Sequence, residues 1–286
     1  FTGLNPGTYS ITIRDANGCV FQTNPVVIDP VTPPDDLSFS ATPVTCPALT
    51  SNITVTASGG EAPLVFEIVA PGTISPTSTS GNSATFDVLA PDTYTFRVTD
   101  TDGCAYEETY TISPVTPISV SGVQVSPISC FSGADGEARF SVGGLPSSYD
   151  YSITGPVTSS GSGETTASID LTGLPAGTYV ITVTDTDTNC TDTAAVTIDE
   201  PAAPLSFTFT TTPITCAADG SVTITAAGGW GGYSYELEQP DGTFLAPQAS
   251  NTFAGLSQTG TYIIRVTDAN GCVETGTFDL LAPSNP

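Results

Sequence analysis

The chain repeats itself, and self-similarity on this scale decides the architecture before any single motif does. ITIRDANGC (11–19), FRVTDTDGC (96–104), ITVTDTDTNC (181–190) and IRVTDANGC (264–272) are variants of one element. Each follows a common approach, LNPGTY, LAPDTY, LPAGTY or LSQTGTY, ending at Tyr9, Tyr94, Tyr179 and Tyr262. A second element recurs as TPVTC (42–46), SPISC (126–130) and TPITC (212–216). A Thr/Ser-alternating stretch and a glycine pair come next: Gly59-Gly60, Gly143-Gly144 and Gly228-Gly229. The copies are joined by proline-rich segments, VTPP (31–34), VTP (115–117) and EPAAP (200–204).

These landmarks give the C-terminal half of a sandwich repeat at 1–34 and three full repeats at 35–117, 118–204 and 205–286. A full copy is too long for a solenoid rung and suits a small sandwich domain. Alternation within 205–286 reads as seven short strands: LSFTFT, SVTITA, YSYELE, GTFLAP, NTFAGL, TYIIRVTD and VETGTFDLL. Thr, Val, Ile, Tyr and Phe suit strands, and 28 Gly with 24 Pro supply turns. No segment has helical periodicity of useful length. The expected fold is all-β, as tandem immunoglobulin-like β-sandwich domains. The chain opens in mid-pattern without Met, so it is expected to be an internal piece of a longer protein.

Charge narrows function. There are 29 acidic residues against 4 basic ones, net −25, and the basic residues are Arg14, Arg97, Arg139 and Arg265. His and Lys are absent. That removes Ser-His-Asp and Cys-His catalysis, His-ligated zinc, the Walker-type phosphate loop and Schiff-base chemistry. So acidic a chain repels nucleic acid and anionic lipid, and no apolar run approaches membrane-spanning length. An enzyme is therefore the least expected class, and no cofactor is expected apart from calcium.

The calcium reading comes from the exit turns. Asp15/Asn17, Asp100/Asp102, Asp185/Asp187 and Asp268/Asn270 place oxygen side chains on alternate residues, like the first part of a calcium loop, although no Glu closes it. The plain reading is a tight turn, since Asn17-Gly18, Asp102-Gly103 and Asn270-Gly271 accept positive φ. The tyrosines before these turns also have two readings. One is a structural tyrosine corner near the start of a late strand; the other is ligand contact.

Seven cysteines occupy two repeat positions, early (Cys46, Cys130, Cys216) and late (Cys19, Cys104, Cys190, Cys272). Regular spacing without His or CxxC indicates disulfides and an oxidising, extracellular setting. Three registers are open. Within a repeat the pairs are Cys46–Cys104, Cys130–Cys190 and Cys216–Cys272, leaving Cys19 for a partner outside the fragment. Across a junction they are Cys19–Cys46, Cys104–Cys130 and Cys190–Cys216. From one repeat to the next they are Cys46–Cys190 and Cys130–Cys272. Two cysteines per repeat is the simplest self-sufficient arrangement. Sandwich topology favours the last register, because the turn before strand B and the turn after strand F lie at opposite ends.

Two further positions carry single-copy readings. Trp230, the only tryptophan, sits in GGWGG and either stacks on a sugar ring or folds over the sandwich end. Asp192-Thr193-Ala194 matches a short bacterial O-glycosylation pattern, making Thr193 the acceptor.

Together these residues resemble the SprB repeat family. The likeness rests on the T-P-x-T-C start, the Asp219-Gly220-Ser221 step into strand B, the glycine pair before a tyrosine-rich strand, and the L-x-x-G-T-Y…V-T-D-A-N-G-C exit. Repeat 118–204 departs at DTDTNC, and 35–117 has PALTSN where the glycine step would stand. The resemblance implies a very large repetitive cell-surface adhesin of Bacteroidota, exported by type IX secretion and of the gliding-motility type, with no catalytic residues. The expected function is a stalk or adhesive fibre. Its expected partners are an extracellular surface or glycan and neighbouring copies of itself. The alternatives are a glycan-binding module and a polymerising pilus-like subunit.

Overall fold

The structure, a computed structural model, describes residues 1–145 and 147–282. Among the described residues every regular element is a β-strand, and all strand pairs are antiparallel. The chain forms two compact units, Phe1–Thr116 and Pro117–Pro286.

In the first unit, residues 35–116 form a seven-stranded sandwich. One sheet holds, in order, Asp36–Ala41, Ser51–Ser58, Ser83–Leu89 and Ser78–Ser80; the other holds Ala105–Thr111, Thr93–Thr99 and Val65–Ala70. This is the ABED/GFC partition of an immunoglobulin constant-type domain. Alternation places Ile53, Val55 and Ala57 inward from strand B to meet Phe66, Ile68, Phe96 and Val98 of the facing sheet. Residues 1–34 form two short ribbons, Gly7–Tyr9 with Val26–Ile28 and Thr12–Arg14 with Val20–Gln22. These correspond to one F–G hairpin, and its apolar residues Ile13, Phe21 and Val26 are exposed.

The second unit contains two sandwiches. In 118–204 the sheets are Ser119–Ser126, Gly136–Gly143, Ser168–Leu174 and Ser159–Glu164, Tyr149–Thr154, Gly177–Asp185, Thr191–Ile198. In 205–286 they are Ser206–Thr212, Gly220–Ala227, Thr252–Leu256 and Phe244–Gln248, Ser234–Glu238, Gly260–Thr267, Val273–Leu280. The strands of 205–286 are the seven expected from alternation.

The fourth strand changes sheets between copies. In the second unit it pairs with strand C, whereas in 35–117 it pairs with strand E. The sequence supplies a cause. Ile74 begins to pair with Ile68, exchanging two backbone hydrogen bonds of 2.9 and 3.0 Å. Pro76 follows two residues later without an N–H to continue a ladder, and the next strand, Ser78–Ser80, lies on the other sheet.

The glycine pairs and the proline junctions form one contact. The carbonyl of Pro33 lies 2.5 Å from where a Cβ on Gly59 would sit. Pro117 stands against Gly144 in the same way, and Pro204 against Gly228. These glycines have φ of +71°, +62° and +74°, so both the torsion and the close approach call for glycine.

Candidate functional site

Each late strand begins with the same tyrosine lock. The hydroxyl of Tyr94 donates to Ala90 O at 2.9 Å, Tyr179 to Pro175 O at 3.0 Å and Tyr262 to Gln258 O at 2.9 Å. Tyr9 repeats it with Asn5 O at 2.6 Å. The bond spans four residues in every copy and is a tyrosine corner. Tyr179 and Tyr262 are completely buried, and burial raises the phenol pKa of both.

The exit turns are built around the first aspartate of each motif. Asp268 Oδ1 accepts from the N–H groups of Asn270 (3.0 Å) and Cys272 (2.9 Å). Asp15 does the same with Asn17 and Cys19, and Asp100 with Cys104. Asp185 accepts from Asp187 N at 2.8 Å and from the Thr188 hydroxyl at 2.6 Å. Burial pushes the Asp185 carboxyl up, but the Thr188 hydroxyl and the two turn N–H groups leave it below the usual carboxylate range. The companions proposed as calcium ligands, Asp102, Asp187 and Asn270, are exposed while Asp100, Asp185 and Asp268 are buried. Thus the aspartates serve their own turns. Among the described residues no group of three or more His, Cys, Asp or Glu side chains is placed to hold a metal ion. Asp100 Oδ2 is buried without a hydrogen-bond partner; its counterpart on Asp268 accepts from Trp230 N at 2.9 Å.

Cys46 and Cys190 are disulfide-bonded. Cys19, Cys104, Cys130, Cys216 and Cys272 are free thiols. Every pair of the within-repeat register contains one of these free thiols, as does every junction pair, so neither register is formed. Sheet register explains why. In 205–286, strand A meets strand B at Thr212↔Ser221 near Cys216, at the start of B. Strand F ends at Thr267 opposite Ser234, beyond the far end of B, and Cys272 follows there. The eight residues of Gly220–Ala227 separate the two cysteines, a span far beyond disulfide reach.

Within the second unit, the early turn of 118–204 meets the loops of 205–286. Trp230 Nε1 donates to Ile128 O at 2.8 Å. The indole is half-buried, and its ring N–H is engaged within the chain. Ile128 is completely buried, whereas its counterpart Ile214 is only half-buried. Two residues from Ile128, Cys130 neighbours Cys272, and this neighbour together with burial pushes the Cys272 thiol up to about 11. Asp268 holds Trp230 with one carboxylate oxygen and Cys272 with the other. On the opposite side, Asp135 accepts from the N–H of Ser129 at 3.1 Å and from its hydroxyl, and Glu200 accepts from Ser132 N at 3.0 Å.

Sequence reasoning did not single out Ile128, Asp135 or the double role of Asp268. The β-branched residue inside T-P-V/I-T/S-C was the available signal: it recurs as Val44, Ile128 and Ile214. Thr193 is exposed on strand Thr191–Ile198, opposite Thr182. An apolar groove of about 350 Å³ lies in the half-repeat, between residues that include Phe1, Leu4, Tyr9 and Ile28.

Comparison with known proteins bears on the third full repeat. Residues 208–242 match the SprB repeat. The SprB match runs from within strand A to just past strand C of that sandwich, including Cys216, the Gly228-Gly229 pair and Trp230. No curated protein matches the chain. Among solved structures it is similar to a tetra-tandem repeat in the extending region of a large adhesion protein (17% identity, 96% of this chain and 81% of that one, TM-score 0.30). It is also similar to the BSP domain of a biofilm-associated protein (9% identity, 87% and 81%, TM-score 0.29). A third is the human desmocollin-1 ectodomain (17% identity, 96% and 67%, TM-score 0.31).

Proposed function

We propose that this chain is part of a long extracellular adhesin, in which tandem sandwiches act as a stalk or adhesive fibre at the cell surface. The observation that carries the reading is the SprB repeat match at 208–242, inside a series of copies that share the same start, glycine pair and exit turn. The physical features fit a mechanical role. Proline junctions seated on glycine restrict bending. Tyrosine corners fix the late strands, and a net charge of −25 keeps neighbouring fibres apart. The partners are an extracellular surface or glycan and adjacent copies in the fibre, and the role needs no reacting group.

Two experiments test this. Antibodies raised against the 286-residue chain and applied to intact cells of the source organism should label projections beyond the envelope, and bound Fab fragments should reduce surface attachment. Labelling only after permeabilisation overturns the reading. The isolated chain on a glycan array should give no specific signal that depends on Trp230; a specific signal lost in Trp230→Ala would move the function to a glycan-binding module.

A further inference from the structure

We propose that Cys130 and Cys272 form a disulfide that bolts sandwich 118–204 to sandwich 205–286. The inference goes beyond the stalk reading and does not depend on it, because it concerns a covalent bond within this chain.

Four observations place the two sulfurs together for reasons other than chance. The two thiols are neighbours, close enough for Cys130 to raise the pKa of Cys272. The cysteine on the early turn is held by its own repeat: Gly133 N donates to Cys130 O at 2.8 Å, and Asp135 and Glu200 fix the residues on either side. The cysteine on the exit turn is held by Asp268 through its N–H at 2.9 Å. The same carboxylate holds Trp230, whose indole reaches back to Ile128, two residues before Cys130. The turns are thus tied to one another by a polar frame that does not involve the sulfurs. Sulfurs presented this way have a high effective concentration and lose little further freedom on bonding.

The chemistry is thiol–disulfide exchange. One cysteine, as thiolate, attacks a sulfur of a small-molecule disulfide such as oxidised glutathione and expels one thiol. The second cysteine, after losing its proton, attacks the mixed disulfide and expels the other. One S–S bond forms for the one that is broken. Cys130 and Cys272 are oxidised, the reagent is reduced to two thiols, and the two cysteine protons end on those thiols. A metal is the competing occupant for paired sulfurs, but no third ligand of the His, Cys, Asp or Glu type completes a site among the described residues.

The test uses the whole chain. It is equilibrated in an oxidised/reduced glutathione buffer, quenched with an alkylating reagent, digested without reduction and mapped by mass spectrometry. The expected result is a linked peptide pair containing Cys130 and Cys272, with loss of alkylation at both and continued alkylation at Cys19, Cys104 and Cys216. In Cys130→Ser, alkylation at Cys272 should return. The map of the unaltered chain decides the matter even where that variant does not fold. Cys130 and Cys272 alkylating as fully as Cys19, or either one linked to a different cysteine, overturns the proposal.

Discussion

The indole N–H of Trp230 donates to the backbone carbonyl of Ile128, 102 residues earlier, at 2.8 Å. The bond joins the B–C loop of one sandwich to the turn before strand B of the preceding one. A side chain that reads in sequence either as a platform for a sugar or as a cover over its own sandwich end is therefore a tie between copies.

Trp230→Phe keeps a ring in place and removes the donor. The orphaned Ile128 carbonyl should cost about 1–3 kcal/mol, measured as a shift in the denaturation midpoint of the second unit. Trp230 is the only tryptophan, so in the unaltered chain its fluorescence follows the joint. Its emission should redden before or with loss of the strand signal in circular dichroism. Emission changing only after the sandwiches unfold would contradict the placement.

Gly228→Ala tests the proline seat. Its φ of +74° and the facing Pro204 carbonyl both oppose a Cβ. Gly231 has φ +72° with open space around it, so Gly231→Ala reports the torsional part alone. Torsional strain is of order 1–3 kcal/mol. Gly228→Ala should exceed Gly231→Ala in chemical denaturation, and equal losses would mean that the Pro204 contact contributes nothing.

Tyr262→Phe leaves its stacking on Phe278 in place, with ring centroids 5.1 Å apart, and deletes only the hydroxyl bonded to Gln258 O. The expected loss is about 0.5–1.5 kcal/mol, with the strand spectrum unchanged. A neutral result would show that the buried corner adds nothing to stability.

Acid should weaken the fold through three carboxyls. Asp135 is held low by the Ser129 hydroxyl and N–H, and Asp241 by Thr243 and Gln258. At Asp185, burial raises the pKa but the turn hydrogen bonds more than offset it. Each keeps its charge to lower pH when folded than when unfolded. Its contribution is therefore complete above the ordinary value of 3.8 and disappears as pH falls through the depressed folded values. Protonation also relieves the repulsion of a net −25 chain, which acts in the opposite direction. The comparison with Asp185→Asn isolates one group: the difference in stability between the two proteins should shrink as pH falls below about 4. A difference independent of pH would remove Asp185 from this account.

The fold was legible because alternation and turn chemistry agree everywhere in 205–286. Ile224, Leu237, Ile264 and Val266 lie inward as their spacing requires, and Tyr262 makes the corner expected of it. The fourth strand of 35–117 was harder to place, since a single Pro76 separates pairing with strand C from pairing with strand E. The cysteine register was open for a different reason. Sequence spacing gives the distance along a chain, whereas bonding depends on which end of a sandwich each turn occupies. The acidic pairs carry two readings in sequence because the residues that suit a calcium loop also suit an aspartate-capped turn. Each of the first aspartates turns a carboxylate oxygen toward its own N–H groups, as the turn reading requires.

The contact between Pro204 and Gly228 joins the end of one copy to the glycine pair of the next, and its equivalents Pro117–Gly144 and Pro33–Gly59 do the same. Each copy therefore ends in a proline that seats on the glycine of whichever copy follows, and that bracket sets how the chain enters the next module. Duplicating or deleting a module would leave every remaining bracket intact, so an array of this kind can change length by recombination without a new linker having to be selected.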